Sequence, residues 1–198
     1  MINNKHLLGK IETYVTNLFE TNLPEGMVYH DYNHTIEVVI EVKKMAQYYK
    51  LSKKDSTTIE VAAWFHDTGY AFTYNNHEEE SIKVATRFLK KQEAEEKLIE
   101  DVSCLILSTK MSHTPNNLLE EILHDADMIN IGRKQFFNRS KLLRKEWELC
   151  IDTKLTDKEW NKKQLDFLTN NNFYTHFCQQ NLSIGRTNNI EKQAQNIQ

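Results

Sequence analysis

The most constraining feature of this chain is a fully apolar run that ends in two residue types able to bind metal. Residues 61–65 read Val-Ala-Ala-Trp-Phe, and His66 and Asp67 follow at once. A helix with no polar face over such a run has to lie in the core of the fold. An imidazole and a carboxylate at its buried end are costly without a partner, and a divalent cation would satisfy both.

The chain also contains few of the residues that favour tight turns. Only five Gly and two Pro occur in 198 residues, too few for the many turns of an all-β fold. Apolar residues instead recur with helical spacing, so the sequence predicts an all-α protein, a helical bundle. We find no linker and no internal repeat and expect one domain over 1–198. Its motif-bearing core covers about 30–150, and a helical C-terminal extension covers 151–198.

Start and stop signals place the metal-competent residues at helix ends. Asn33 is predicted to cap a helix from His34 to about Tyr49. Ser52 begins the helix that ends at His66, with Asp55 completing a capping box. After Asn170, the sequence predicts a short helix around 173–177 and a frayed final helix.

Four residues form the metal-site hypothesis: His34, His66, Asp67 and Asp127. Two imidazoles and two carboxylates suit one Mn²⁺, Fe²⁺, Co²⁺, Ni²⁺ or Mg²⁺ with water completing the shell, and zinc is less favoured by a set this rich in oxygen. Ordinary roles remain open for each residue. Asp67 could simply end a helix, His34 could face solvent, and Asp127 could cap a helix or pair with Arg133.

Further along the chain than the His-Asp pair, two residues are candidates for proton transfer. His77 and Glu78 open the next predicted helix, where either could pass a proton to a leaving oxygen. Acidic residues in a first helical turn are equally well explained by the helix macrodipole.

Three further residues are candidates for binding substrate. Lys110 and Arg133 follow helix ends and could hold a phosphate, although each could equally be a solvated surface cation. His30 lies four residues before His34, which places it near the metal or the substrate.

Four segments together resemble the successive motifs of the HD superfamily of metal-dependent phosphohydrolases. They are Tyr-His-Asp-Tyr-Asn-His at 29–34, Ala-Ala-Trp-Phe-His-Asp at 62–67, Asn-His-Glu-Glu-Glu-Ser at 76–81 and Asp-Ala-Asp at 125–127. The resemblance covers roughly 30–147. It implies an HD-type helical bundle whose single divalent ion is held at the positions of His34, His66, Asp67 and Asp127. It also implies hydrolysis of a phosphate ester or anhydride, often in a nucleotide. Together with the two proton-transfer candidates above, the catalytic candidates are Asp67, His77 and Glu78.

One departure from that pattern bears on the number of ions. Many binuclear relatives carry two further histidines between the His-Asp pair and the last Asp. His77 could match the first, but the second position falls near 108–110, which contains no histidine. We therefore expect one metal rather than two.

Charge and composition limit the partners and the location. Lys plus Arg number 25 and Asp plus Glu number 28, with no long basic run, so duplex nucleic acid is not an expected partner. No apolar run approaches the roughly 18 residues of a membrane span. Three scattered cysteines and a polar start to the chain favour the cytoplasm.

The resulting expectation is a metal-dependent phosphohydrolase acting on a small phosphorylated compound, most plausibly a nucleotide. Two alternatives stay open: a cyclic nucleotide or dinucleotide phosphodiesterase on the same scaffold, and a catalytically silent nucleotide-binding regulatory module. The sequence leaves open the substrate, the metal and the oligomeric state, a homo-oligomer included.

Overall fold

A computed structural model describes residues 4–197 of the chain. Over this range it contains nine α-helices and two 3₁₀ helices but no strand, which confirms the predicted all-α class. The α-helices are α1 (Asn4–Asn22), α2 (Tyr32–Tyr48), α3 (Lys53–Phe65), α4 (His77–Lys91), α5 (Glu96–Leu107), α6 (Leu118–Asp127), α7 (Phe136–Cys150), α8 (Asp157–Asn170) and α9 (His176–Gln195). The first 3₁₀ helix is Thr68–Ala71 and the second is Met128–Gly132. Among the described helices, none has both the length and the apolar character needed to cross a membrane.

Helix α3 lies at the centre of the molecule. Its run from Val61 to Phe65 is buried, as the apolar sequence predicts, and α3 packs against α1, α2, α4, α5 and α6. The Phe65 ring packs against those of Tyr14 and Phe88, with centroids 6.2 and 5.6 Å away. Burying one such aromatic side chain contributes about 2 kcal/mol. The C-terminal end of α3 is therefore fixed by the core.

Helix α2 begins two residues earlier than the sequence predicts, and its cap is a different residue. Asp31 is the N-cap, and its Oδ1 accepts a hydrogen bond from the His34 backbone N–H at 2.9 Å. Asn33 lies inside the first turn, where its amide donates to Asp31 Oδ2. Because Asp31 has the extended backbone that an N-cap requires, it takes the role we assigned to Asn33.

Other helix starts agree with the sequence, but the C-terminal prediction is wrong. Ser52 caps α3 by accepting from the Asp55 backbone N–H at 3.0 Å. The C-terminal extension, in contrast, ends in one continuous helix from His176 to Gln195, not in a short helix and a frayed one. Thr175 caps it by accepting from the Cys178 backbone N–H at 3.2 Å.

The first 3₁₀ helix brings the start of α4 close to the end of α3. The Gly69 backbone N–H donates to Ser81 Oγ at 2.7 Å. A Cβ atom at residue 69 would lie 1.9 Å from the His77 carbonyl oxygen, so only glycine allows this approach. His77 is thereby held beside Asp67.

Helix α9 packs on the second 3₁₀ helix, which directly follows Asp127. A Cβ atom at Gly185 would lie 2.1 Å from the Gly132 carbonyl oxygen. The Asn189 amide donates to the carbonyl oxygens of Ile131 and Arg133, both at 2.9 Å. The C-terminal extension thus supports the segment that directly follows Asp127, a predicted metal ligand.

Candidate metal centre

The structure brings all four predicted metal ligands together. His34 lies in the first turn of α2, His66 and Asp67 follow α3, and Asp127 ends α6. His34 Nε2 lies 2.9 Å from Asp127 Oδ1 and 3.4 Å from Asp67 Oδ2. His66 Nε2 lies 3.2 Å from Asp67 Oδ2 and 3.7 Å from Asp127 Oδ1. One ligand atom each from His34, His66 and Asp127 lie within 4.8 Å of one another, close enough to share an ion.

The hydrogen bonds of the cluster fit a cation at its centre. His66 Nδ1 lies 2.8 Å from the Ala63 carbonyl oxygen and must donate to it, which leaves a lone pair on Nε2 in the neutral imidazole. Nε2 of His66 and Oδ2 of Asp67 are both buried and have no hydrogen-bond partner. A buried polar atom left unpaired costs about 1–3 kcal/mol. Two nitrogen and two carboxylate donors in this arrangement suit a divalent ion.

Without an ion, protons balance the two carboxylates. Burial lowers the pKa of His34, but the hydrogen bond to Asp127 and the charges of both carboxylates outweigh burial and raise it to about 9. Burial raises the pKa of Asp67, but the charge of His66 and the close approach of both imidazoles hold it well below its usual range. Metal ligands must be deprotonated, so an ion has to displace these protons.

The cluster is closed on three sides and opens at Asp127. The side chains of His34, His66 and Asp67 are at most 5% exposed, whereas that of Asp127 is 25% exposed. Solvent therefore reaches the cluster from the Asp127 side.

His77, a candidate for proton transfer, lies at the edge of the cluster. Its Nε2 is 3.6 Å from Asp67 Oδ1, and its Nδ1 is 3.7 Å from Glu78 Oε2. Its ring stacks on Tyr70, with centroids 3.8 Å apart. Burial lowers the pKa of His77, and the neighbouring carboxylates only partly offset this effect.

His30 flanks the same cluster from the other side of Tyr70. Its ring stacks on Tyr70 at 4.4 Å and meets the His34 ring edge-on at 5.8 Å. Its Nδ1 lies 2.5 Å from Glu146 Oε1. Two carboxylate–imidazole pairs, His30 with Glu146 and His77 with Glu78, therefore border the candidate site.

Glu146 is a residue that sequence reasoning missed. It is fully buried on α7, where Oε2 accepts from the backbone N–H groups of Tyr29 and His30, at 2.8 and 3.0 Å. Tyr74 Oη donates to Oε1 at 3.1 Å. Because 116 residues separate it from His30 and nothing in its neighbourhood resembles a motif, the sequence contains no signal for this contact.

The two cations proposed for substrate binding are paired with acids. Lys110 forms an ion pair with Glu79, one residue beyond Glu78. Arg133 donates to Glu37 at 2.5 Å and to Glu41 at 2.6 Å, both on α2. The structure thus places Lys110 beside the start of α4 but does not bring Arg133 into the metal cluster, and it pairs Arg133 with α2 rather than with Asp127.

The fold and this site define an all-α protein with a buried histidine–aspartate cluster able to hold a divalent metal. The HD domain family model matches residues 31–130, about half of the chain, and that range contains all four candidate ligands. The chain therefore belongs to the HD-domain family, a superfamily of metal-dependent hydrolases. No curated protein and no solved structure matches it.

Proposed function

We propose that this chain hydrolyses a phosphate ester or anhydride in a small phosphorylated compound, a nucleotide being the first class to test. His34, His66, Asp67 and Asp127 hold one divalent ion, with Mn²⁺, Fe²⁺, Co²⁺, Ni²⁺ and Mg²⁺ as candidates ahead of zinc. The observation that carries the proposal is the pair of buried, unpartnered atoms 3.2 Å apart, His66 Nε2 and Asp67 Oδ2. When bound, such an ion polarises a phosphoryl oxygen and lowers the pKa of a coordinated water.

The protein residues orient the ligands and control protons. The Ala63 carbonyl fixes the tautomer of His66, which keeps Nε2 free to coordinate. Asp67 lies between the ligand histidines and His77, so it contributes both to metal binding and to positioning the attacking water.

Two imidazoles are placed to exchange protons with the reacting groups. Glu146 accepts a hydrogen bond from Nδ1 of His30, so Nε2 of that ring is free of Glu146; it accepts a proton in the neutral imidazole and donates one in the imidazolium. His77, paired with Glu78, can accept a proton because burial favours its neutral form. We assign His30 and His77 to these proton transfers, with Glu78 orienting His77.

Metal content and activity together test the proposal. Protein purified without chelators should contain about one divalent ion per chain. With added Mn²⁺ it should hydrolyse at least one member of a panel of nucleoside mono-, di- and triphosphates and cyclic nucleotides. Product identification would distinguish a phosphomonoesterase, which releases phosphate, from a cyclic phosphodiesterase, which opens the ring to a nucleoside monophosphate.

His66→Ala should lose the ion and the activity together. His113→Gln, a substitution of a partly exposed histidine outside the cluster, should retain both. Full hydrolysis by metal-free His66→Ala protein would refute the proposal, whereas nucleotide binding without turnover across several divalent ions would favour the silent binding module.

A further inference from the structure

Arg139 on α7 carries a charge that no described acid neutralises. Its Cζ lies 4.3 Å from the centroid of the Tyr29 ring, and its Nη2 donates to the Tyr29 carbonyl oxygen at 3.0 Å. Its Nε is buried without a partner. Within residues 4–197, no carboxylate oxygen lies within 4.0 Å of the guanidinium nitrogens.

Other arginines around α7 differ from Arg139 in this respect. Arg133 pairs with Glu37 and Glu41. Arg144, on the same helix, pairs with Asp157 at 2.7 Å. A partly buried guanidinium without a counter-ion is costly, and an anionic ligand would lower that cost.

The position of Arg139 connects it to the open side of the metal cluster. It lines a small cavity whose wall also contains Tyr29, Asp127, Asn130, Ser140 and Gln164. Asp127 is the candidate ligand that is partly exposed. The Tyr29 ring contacts both sides of this region: the Arg139 guanidinium lies 4.3 Å from its centroid, and the ring of the candidate ligand His34 lies 5.5 Å away. Because Asp127 and Arg139 line the same cavity, an anion bound to a metal ion at Asp127 would lie close to Arg139.

We propose that Arg139 binds a phosphate oxygen of the substrate that does not face the metal. This inference rests on the proposed function and assigns to Arg139 the role that the sequence suggested for Arg133 and Lys110. A planar guanidinium matches the geometry of a phosphate and favours a terminal, dianionic phosphate group over an internal diester. The substrate class at this site is accordingly a phosphomonoester or a terminal phosphoanhydride.

Binding measurements that separate metal from phosphate test this assignment. Mn²⁺ alone, and then inorganic phosphate with Mn²⁺ present, would be titrated calorimetrically into wild-type, Arg139→Gln, Arg139→Lys and Arg144→Gln proteins. Arg139→Gln should bind Mn²⁺ within about twofold of wild type but bind phosphate about 10- to 100-fold more weakly, the range expected for a charged hydrogen bond. Arg139→Lys should lie between the two, and Arg144→Gln should match wild type.

Two results would overturn this inference, and a third would overturn the proposed function. Wild-type phosphate affinity in a folded Arg139→Gln protein would overturn the inference. Loss of Mn²⁺ binding and a lower unfolding temperature in both Arg139 variants would also overturn it, since Arg139 would then only support Tyr29. If wild-type protein bound no Mn²⁺, the proposed function would fail, and phosphate titration of the metal-free proteins would still decide the role of Arg139.

Discussion

The two ring nitrogens of His66 have different roles, and the role of each follows from a single contact. Nδ1 donates to Ala63 within the same helical turn, while Nε2 faces Asp67 with no hydrogen bond. A neutral core histidine would need partners for both nitrogens. At the residue scale, the metal hypothesis therefore depends on the protonation of a few buried atoms.

Protons should compete with the ion for the cluster. The pKa of His34 is raised from 6.5 to about 9 in the metal-free protein. A raised pKa stabilises the folded state fully below the unfolded value and loses that effect as pH rises through about 9. Metal-free protein should therefore become less stable between about pH 7 and pH 9, while Mn²⁺ affinity rises, by about tenfold per pH unit for each proton released.

Calorimetry in oxygen-free buffers of different ionisation enthalpy would count those released protons. A Mn²⁺ affinity that stays constant across this pH range would contradict the account of a protonated cluster.

Glu146→Gln should impair catalysis without removing the ion. The substitution replaces the acceptor at His30 Nδ1 by a neutral amide and removes the charge-assisted hydrogen bond. For whichever panel compound is hydrolysed, we expect kcat to fall about 10²-fold, as for loss of an acid–base group, with KM and Mn²⁺ affinity nearly unchanged. Steady-state kinetics across pH would measure this.

Two comparisons make that test specific. Glu148→Gln, on the exposed side of the same helix, should behave as wild type. The double variant His30→Ala, Glu146→Gln should be no slower than His30→Ala alone, and additive losses would contradict coupling through His30.

At the scale of single helices, local patterns in the sequence predict some helix starts and ends correctly and others incorrectly. The apolar run of α3 and its cap Ser52 act within a few residues, so the sequence predicts them correctly. The cap of α2 was misassigned because Asp31 and Asn33 both have side chains that favour capping, and only the backbone conformation distinguishes them. Continuity of α9 depends on its packing against the second 3₁₀ helix, which local sequence does not encode.

Asn189→Ala should weaken metal binding, although Asn189 lies on α9, which contains none of the four candidate ligands. It leaves the carbonyl oxygens of Ile131 and Arg133 without their donor, at a cost of about 1–3 kcal/mol, and loosens the segment after Asp127. We expect a lower unfolding temperature and several-fold weaker Mn²⁺ binding, measured by calorimetry. The neighbouring exposed residue gives the control, Asn188→Ala, which should change neither. A destabilised Asn189→Ala protein with wild-type Mn²⁺ affinity would show that α9 does not position Asp127.

At the scale of the whole molecule, the candidate site combines the family-matched region with helices outside it. The four ligands lie within residues 31–130, where short contiguous motifs make them visible in sequence. Glu146 and Arg139 lie on α7, beyond that match, and act through contacts across more than 100 residues. Sequence therefore identifies the groups able to hold a metal, whereas only the fold identifies Glu146, which contacts His30, and Arg139, the residue proposed to bind phosphate.

His34, His66, Asp67 and Asp127 should coordinate one shared cation. Crystals of the protein grown with Mn²⁺, with diffraction recorded at the manganese absorption edge, would locate that ion. We expect a single anomalous peak within coordination distance of all four side chains, at about 2.0–2.3 Å from their nearest nitrogen or oxygen atoms. A metal-loaded crystal with no peak among these atoms, or with a peak bound by other residues, would contradict it.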